Sequence, residues 1–373
     1  MHTEDLSRFP VFLNTANPWV DPAFFSKISR NDVISAMESR MSVVMRAQIL
    51  LSEVVDSFLE PLAQKAHALT VQNFGKTMQL YTPLYVSNYC ENQCVYCGFN
   101  CINTAIERKK LSLEEVDIEA RAIAQSGLRH ILLLTGESRK YSSVEYIEQC
   151  VRILRKYFKS ISLEVYSLDE DEYSRLIDAG VDGLTVYQET YDPDRYKELH
   201  LAGPKTDFLY RLKTVDRAAR AGMRSINIGA LLGLSCWRSD VFSAIVHAYY
   251  LQRTYPSLEL SISLPRMQTH EGAYDNIVPV TDQHMVQSIL AIRLCLPRVG
   301  ITMSTRESDL FRDNIVRLGV TRMSAGSLTQ VGGHAEGAET DIGQFDIADE
   351  RSIADVKIML KNHGYQAVLT DWC

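Results

Sequence analysis

The chain has 373 residues, of which 46% are hydrophobic and 23% charged, and a formal charge of −7. It is long enough to bury a substantial core, ordinary in composition for a soluble protein, and too acidic, with no block of five like charges, to offer a nucleic-acid surface. Eight cysteines do not make a disulfide scaffold at this length. No stretch of eighteen apolar residues predicts a membrane span. The first residues, Met-His-Thr-Glu-Asp-Leu-Ser, lack the basic-then-apolar pattern of a secretory signal, so a reducing cytoplasm is the expected compartment.

Residues 1–78 show helical patterns, such as 32–45 and 47–59, that predict a helical extension on the outside of the main body. The run 79–86 predicts a first strand leading straight into a cysteine-rich loop. The run Glu107-Arg108-Lys109-Lys110 is short and mixed in sign, and predicts a solvated helix entry. Ser112 with Glu115 forms a capping box for a helix ended by Gly127, and 130–134 is a buried apolar strand. Ser142 with Glu145 predicts the next helix start, followed by a strand at 162–166. A helix ending at Gly180, a strand at 184–187, a helix at 207–221 and a strand at 226–228 continue the rhythm. Then come a helix at 240–255, a strand at 258–264, a helix at 282–296, a strand at 301–304, a helix at 310–318 and a strand at 321–324. Eight strands alternating with helices over residues 79–327 predict a parallel sheet closed as an α/β (β/α)8 barrel of TIM type, whose usual size is about 250 residues. A doubly wound open sheet is the competing architecture. Residues 328–350, rich in Gly, Asp and Glu, predict a long loop, a lid or a mobile segment. A helix at 352–362, stopped by Gly364, closes the barrel within a carboxyl-terminal part, 328–373.

Three cysteines, Cys90, Cys94 and Cys97, fall within eight residues with the spacing C-x3-C-x2-C. A cubane iron–sulfur cluster normally takes four cysteines, one per iron; a loop supplying three leaves one iron open to a small molecule. A zinc knot would need a second Cys or His pair, and none is present. Cys101, four residues on, is expected to be a small, partly buried thiol rather than a fourth ligand. Cys150 reads as core, Cys236 and Cys295 are scattered, and Cys373 as a free tail thiol.

Active sites of such barrels form at the carboxyl ends of the strands. After the second strand stands Thr135-Gly136-Glu137, where a carboxylate can accept from an ammonium group and Gly allows close backbone approach. The third strand carries Glu164, a carboxylate that must be paired if buried, then Tyr166. The fourth ends in Tyr187-Gln188-Glu189-Thr190-Tyr191. The sixth ends in Ser263-Leu264-Pro265-Arg266, offering a planar fork for a carboxylate such as that of an amino acid. The seventh ends in Ser304-Thr305-Arg306-Glu307 and the eighth in Ser324-Ala325-Gly326-Ser327. His270 and His334 lie in loops and are expected to be solvated.

The cysteine spacing, with Tyr96 before the third cysteine, resembles the signature of the radical S-adenosylmethionine enzymes. Cys-Val-Tyr-Cys-Gly-Phe, Leu-Thr-Gly-Glu, Val-Tyr-Gln-Glu-Thr-Tyr-Asp (186–192), Ala-Gly-Pro-Lys (202–205), Ile-Gly-Ala-Leu-Leu-Gly-Leu (228–234) and Gln-Phe-Asp-Ile-Ala-Asp-Glu-Arg-Ser (344–352) together resemble its aromatic amino-acid lyases, in particular the tyrosine lyases of bacterial thiamine biosynthesis. The resemblance implies a 4Fe-4S cluster on Cys90, Cys94 and Cys97 and S-adenosyl-L-methionine on its open iron. It implies a radical that takes hydrogen from L-tyrosine, and cleavage of the Cα–Cβ bond to 2-iminoacetate (dehydroglycine) and p-cresol, with 5′-deoxyadenosine and methionine. By position, Tyr96 and Phe99 would flank adenine. Thr135, Gly136 and Glu137, with Glu164, Gln188 and Glu189, would serve the methionine and nucleoside parts. Arg266 would take the tyrosine carboxylate, with Ser263, Thr305 and Ser324 beside it. The family implies a thiazole synthase partner and a flavodoxin or ferredoxin reductant, and no membrane or nucleic acid. Tyr166 and Cys101 stand where the family often has a small residue and Ser. A related lyase of hydrogenase maturation carries further cysteines after the barrel; none in C-x2-C spacing follows here, so that second chemistry is not expected. A lyase of the same fold acting on another amino acid, or an electron-transfer or scaffold protein carrying the cluster, are the alternatives.

Overall fold

The computed structural model describes residues 22–38, 41–267, 274, 276–335 and 343–370. Within them eight parallel strands form a ring: β1 (Thr77–Ser87), β2 (His130–Thr135), β3 (Ser160–Glu164), β4 (Gly183–Tyr187), β5 (Ser225–Gly229), β6 (Glu259–Ser263), β7 (Gly300–Met303) and β8 (Arg322–Ser324). Each pairs with the next. β1 also pairs with β2 on one side (Thr82 opposite Ile131) and β8 on the other (Gln79 opposite Arg322), which closes the barrel. The competing open sheet is thereby set aside. A ninth strand, β9 (Gln366–Val368), joins the start of β1 at Thr77–Gln79. The sequence reading missed it, because three residues are too short to show a period.

The two-residue period of the strands sorts side chains to opposite faces. Ile161, Leu163, Leu184, Val186, Ile226, Ile228, Leu260 and Ile262 are buried toward the surrounding helices. The alternate positions, Ser162, Thr185, Asn227, Ser261 and Thr302, turn inward and are small and polar. Three of them are bonded, Ser261 Oγ donating to Asn227 Oδ1 at 2.9 Å and Ser162 Oγ lying 3.1 Å from His130 Nε2, while Thr302 Oγ1 is buried without a partner. Barrels of this kind usually fill that space with branched aliphatic residues. Here the space narrows to hydroxyls and opens upward onto tyrosines.

Helix starts follow local chemistry. Ser112 accepts from the Glu115 amide and Glu115 returns a bond, the expected capping box. At the next helix the cap is Ser143, accepting from the Tyr146 amide at 3.2 Å, and not Ser142, whose own amide bonds to the Ser138 carbonyl. The single helix expected at 207–221 is two, Phe208–Leu212 and Thr214–Arg220. The amino-terminal patterns also divide differently. Helices run Arg30–Glu38, Val43–Leu50 and Leu59–Phe74, with a 3-10 turn at Glu53–Phe58 between the last two. Ser42 resets the boundary by capping at Met45. This layer lies outside the barrel: Gln287 Nε2 donates to the Leu50 and Ser52 carbonyls at 2.9 and 2.8 Å, and Arg238 Nε to Leu51 O at 2.9 Å. It explains why the helix Trp237–Thr254 is buried around most of its circumference.

Between Ser324 and Ile353 no described residue is in a helix or strand, as the composition predicted, but the described parts are pinned. Arg312 and Asp349, both fully buried, form an ion pair, and Arg312 also donates to the Ser324 carbonyl. Arg351 holds Asp349 and Asp313. His334, expected in solvent, is packed inward with Nε2 3.0 Å from the Pro83 carbonyl while its amide donates to Glu119. His270 and Cys373 lie outside the described residues. Strands β5 and β6 approach so closely that a Cβ on Gly229 would collide with the Ser263 carbonyl oxygen. Gly229→Ala is therefore expected to lose at least about 2 kcal/mol to overpacking. Urea unfolding checks this, and a variant as stable as the parent would show that the two strands can part.

Candidate active site

The loop after β1 carries the three cysteines and has almost no regular structure of its own. It is held from three sides. The Gln93 amide donates to Ala202 O at 2.9 Å, Val95 N to Leu199 O at 3.1 Å, and Leu201 N to Gln93 O at 3.0 Å, so the segment after the helix Pro193–Leu199 pairs with the loop. Asn92 donates from Nδ2 to Glu137 at 2.6 Å and lies 3.7 Å from Cys90 Sγ, while its Oδ1 accepts from the Lys205 amide at 2.9 Å. Arg108, expected in solvent, turns inward and donates to the carbonyls of Asn88, Phe99, Asn100 and Asn103. These bonds satisfy the carbonyls that an irregular buried loop would otherwise leave orphaned.

Cys94 is buried and Cys90 and Cys97 are half-buried. Burial first, and then the neighbouring thiols, push the Cys90 and Cys94 thiols up, a cost that metal coordination reverses by stabilising the thiolates. Among the described residues no group of three His, Cys, Asp or Glu side chains is arranged to hold a single metal ion. Side-chain amides reach two of the sulfurs, Asn92 at Cys90 and Gln344 at Cys97 (3.4 Å). Anionic sulfur accepts such bonds, so the donor set fits an iron–sulfur cluster. Cys101 is exposed, not partly buried as expected; Cys150 is core.

Cys97 and Tyr96 form one wall of a cavity of about 910 Å³, open to solvent, at the carboxyl ends of the strands. Tyr81, Tyr85 and Tyr187 supply its aromatic surface, and Glu164, Glu189, Lys205 and Arg306 its charge. Glu189 has φ 71°, a left-handed conformation unique among the described non-glycine residues. Its turn is held by Asp240, which accepts from Thr190 Oγ1 at 3.0 Å and the Tyr191 amide at 2.7 Å. The turn aims the Glu189 carboxylate at Lys205 Nζ (2.6 Å) and Arg211 Nη2 (3.5 Å). Burial pushes the Glu189 carboxyl up, but the two cations outweigh it and hold it below the usual range. The Glu164 carboxyl accepts no hydrogen bond from any described residue; burial, then repulsion by Glu189, pushes it up to about 7. His200 is lowered to about 3 by burial and Lys205. With Nδ1 2.7 Å from the Tyr196 carbonyl, its neutral ring presents Nε2 as acceptor for the Tyr96 hydroxyl at 2.8 Å.

The residues singled out in the sequence divide. Tyr96, Glu164, Glu189, Thr305 and Ser324 line the cavity with Cys97, and Ser324 Oγ accepts from the Thr305 amide at 3.1 Å. Thr135, Gly136 and Glu137 lie against the cysteine loop: Glu91 N donates to Glu137 O at 2.8 Å, a Cβ on Gly136 would strike the Tyr89 carbonyl, and Thr135 Oγ1 is buried without a partner. Phe99 is packed behind Tyr85, ring centroids 5.8 Å apart, and does not line the cavity. Gln188 turns away to bond Gly229 and Phe208, and Ser263 sits one layer below as acceptor for the Tyr187 hydroxyl. Tyr166 also points outward, donating to Ser142 O. Arg266 is the main correction. Its Nε and Nη2 are taken by Glu307, which is fully buried, and its Nη1 by Val280 O and Asp282. Its fork is closed by protein carboxylates, and Arg306 lines the cavity instead, stacked 3.3 Å from the Phe345 ring centroid. Asn92, His200, Arg211 and Gln344 were missed. Lys205 and Gln344 lie in stretches that carried the family resemblance, so that signal was present without a role.

Residues 84–235 match the Radical SAM superfamily, and residues 263–366 the Biotin and Thiamin Synthesis associated domain. The chain is 41% identical over 324 residues to the 2-iminoacetate synthase of Escherichia coli (strain K12), covering 87% of this chain and 85% of that one. It is 41% identical over 326 residues to that of Salmonella typhimurium (strain LT2), with the same coverage of each. Its fold matches the FeFe-hydrogenase maturase HydG from Carboxydothermus hydrogenoformans with a TM-score of 0.85 at 31% identity, over 99% of this chain and 84% of that one. With the three-cysteine loop standing over a closed barrel, these relationships place the chain in the 2-iminoacetate synthase family of radical S-adenosylmethionine enzymes.

Proposed function

We infer that the chain is a carbon–carbon lyase that cleaves L-tyrosine between Cα and Cβ. The products are 2-iminoacetate and p-cresol, with 5′-deoxyadenosine and methionine from S-adenosyl-L-methionine, for the thiazole of thiamine. The observation that carries the reading is a three-thiol loop opening, through Cys97 and Tyr96, onto a cavity that combines aromatic walls with the half-buried guanidinium of Arg306. The 4Fe-4S cluster and S-adenosyl-L-methionine, when bound, supply the one-electron chemistry that removes a hydrogen atom from the substrate.

The chain's own residues hold and orient. Cys90, Cys94 and Cys97 would bind the cluster. Glu137, fixed by Asn92 beside Cys90, offers a carboxylate for the methionine ammonium, with the unpartnered Thr135 hydroxyl next to it. Glu164, which titrates near neutrality, suits ribose hydroxyls because it can donate or accept. Arg306 takes the role first given to Arg266: a half-buried planar fork for the tyrosine carboxylate. Tyr81, Tyr85 and Tyr187 offer aromatic surface for the substrate ring. 2-Iminoacetate hydrolyses readily, which favours hand-off to a thiazole synthase, and the cluster needs a flavodoxin or ferredoxin as electron donor. No described helix is long and apolar enough to cross a membrane, and the cytoplasm is the proposed compartment. An extension at 1–78, a catalytic barrel at 79–327 and a closing segment at 328–373 remain the proposed division.

Anaerobically reconstituted protein, given reductant, S-adenosyl-L-methionine and tyrosine, is expected to release p-cresol and 5′-deoxyadenosine, and Cys94→Ala to release neither. Deoxyadenosine without p-cresol would make tyrosine the wrong substrate. Neither product from a preparation with a verified cluster would favour a scaffold. The two arginines should separate in kinetics and stability. Arg306→Leu is expected to raise the KM for tyrosine at least tenfold, in line with a lost charge-assisted pair of about 1.5–3 kcal/mol. Arg266→Met should instead cost about 3–5 kcal/mol of stability by stranding buried Glu307, with little change in KM; the reverse pattern would restore Arg266 as the carboxylate site. The Glu164 carboxyl is raised in the fold, so it keeps its proton where the unfolded chain has lost it. That contribution is present below pH 4.5 and lost as pH rises to about 7. Glu164→Gln is expected to flatten this decline by roughly 1–3 kcal/mol in urea unfolding of the cluster-free protein across pH 4.5–7.

A further inference from the structure

Within the 328–350 stretch, Gln344 and Phe345 line the cavity. They are firmly seated there. The Gln344 amide donates to the Thr329 carbonyl at 3.0 Å, and Thr329 Oγ1 donates to Phe345 O at 2.9 Å. A Cβ on Gly98 would sit 2.5 Å from the Gln344 carbonyl oxygen, so this segment lies directly on the cysteine loop. A few residues on, Asp349 fastens it to buried Arg312. The Gln344 side chain then makes two contacts: Nε2 lies 3.4 Å from Cys97 Sγ, and Oε1 accepts from the Tyr85 hydroxyl at 2.9 Å.

The orientation of the amide decides what this contact does. A cluster-bound Cys97 sulfur carries negative charge and can only accept, so the amide must present its NH2 group. The Tyr85 hydroxyl, donating to Oε1, fixes that orientation. Tyr85 is itself locked edge-on against Phe99, which gives that buried ring a purpose outside the cavity. Hydrogen bonds to the sulfurs of an iron–sulfur cluster stabilise its reduced, more negative state and raise its potential, and such outer partners also orient the ligand.

We propose that Gln344, oriented by Tyr85, is a positioning residue for the cluster: its N–H bond to Cys97 raises the reduction potential, so that one-electron reduction by an external donor comes within reach. The proposal rests on Cys97 being a cluster ligand, not on tyrosine being the substrate. Its range is short, since it acts through one sulfur, and the step itself only adds an electron to the cluster.

The test is an anaerobic redox titration of the reconstituted holoenzyme without substrate, followed by electron paramagnetic resonance, with iron and sulfide content and circular dichroism as controls. Gln344→Leu and the near-isosteric Gln344→Glu should both shift the midpoint to more negative values, Glu more than Leu because its carboxylate repels the sulfur. Tyr85→Phe should give a smaller shift in the same direction by freeing the amide to turn. Midpoints equal to or more positive than the parent in both Gln344 variants, with full cluster content, would overturn the proposal, and an unmoved Tyr85→Phe would overturn the orienting role. A Cys97→Ala protein that still holds a full cluster would overturn the ligand assignment beneath it; loss of the cluster in that variant, with unmoved Gln344 variants, overturns the proposal alone.

Discussion

Three thiols that repel one another once ionised have to be held at fixed separations by a loop with almost no secondary structure. The bonds that meet this requirement also place most of the rest of the site. The loop is paired with Leu199–Ala202, so its position depends on how the chain leaves β4. That exit runs through the left-handed turn at Glu189 and the helix Pro193–Leu199. Lys205, at the end of the same path, contributes its amide to Asn92 and its ammonium to Glu189. One stretch of backbone therefore fixes the cysteines, the cation beside them and the carboxylate facing it. A strained conformation at a non-glycine residue persists only where its surroundings over-determine it, and Asp240 and the two cations do so here.

The charges in the cavity are close to balanced. Glu164 and Glu189 face Lys205, Arg211 and Arg306, in surroundings where an unpaired charge is costly. A fully bonded ion pair is also no longer available to a ligand, and this removes Arg266, whereas Arg306 lines the cavity. Both are arginines that follow strand ends by a few residues. One is saturated by Glu307 and Asp282; the other stands in the cavity against an aromatic ring.

The barrel was legible because its signals are local. Strand after strand shows a two-residue period or a short apolar run, and capping residues such as Ser112 and Gly180 mark the helix ends. The cysteines were legible because metal chemistry constrains spacing along the chain. The rest of the site depends on partners distant in sequence. Arg266 and Glu307 are 41 residues apart, and Gln344 and Cys97 are 247. Nothing in the neighbourhood of Arg266 announces that a buried glutamate will claim it. Nor does the run Glu107-Arg108-Lys109-Lys110 show that one of its cations will fold inward onto four carbonyls. Periodicity reports which face a residue occupies, while partnership is set by the fold.

The edges of β1 join three strands: it pairs with β2, β8 and β9, and its end becomes the cysteine loop. Its neighbours are made far apart in time. Synthesis proceeds from the amino terminus at roughly 5–20 residues per second, so the thiols emerge well before Lys205, and Gln344, 247 residues after Cys97, and β9 come later still. A nascent chain thus displays its three cysteines without the backbone pairing, the barrel closure or the amide donor that later surround them. A cluster that met the loop before Gln344 and β9 had been made would lack both the amide beside Cys97 and the strand that completes the neighbourhood of β1, so the order in which these segments are made decides the surroundings such a cluster would meet.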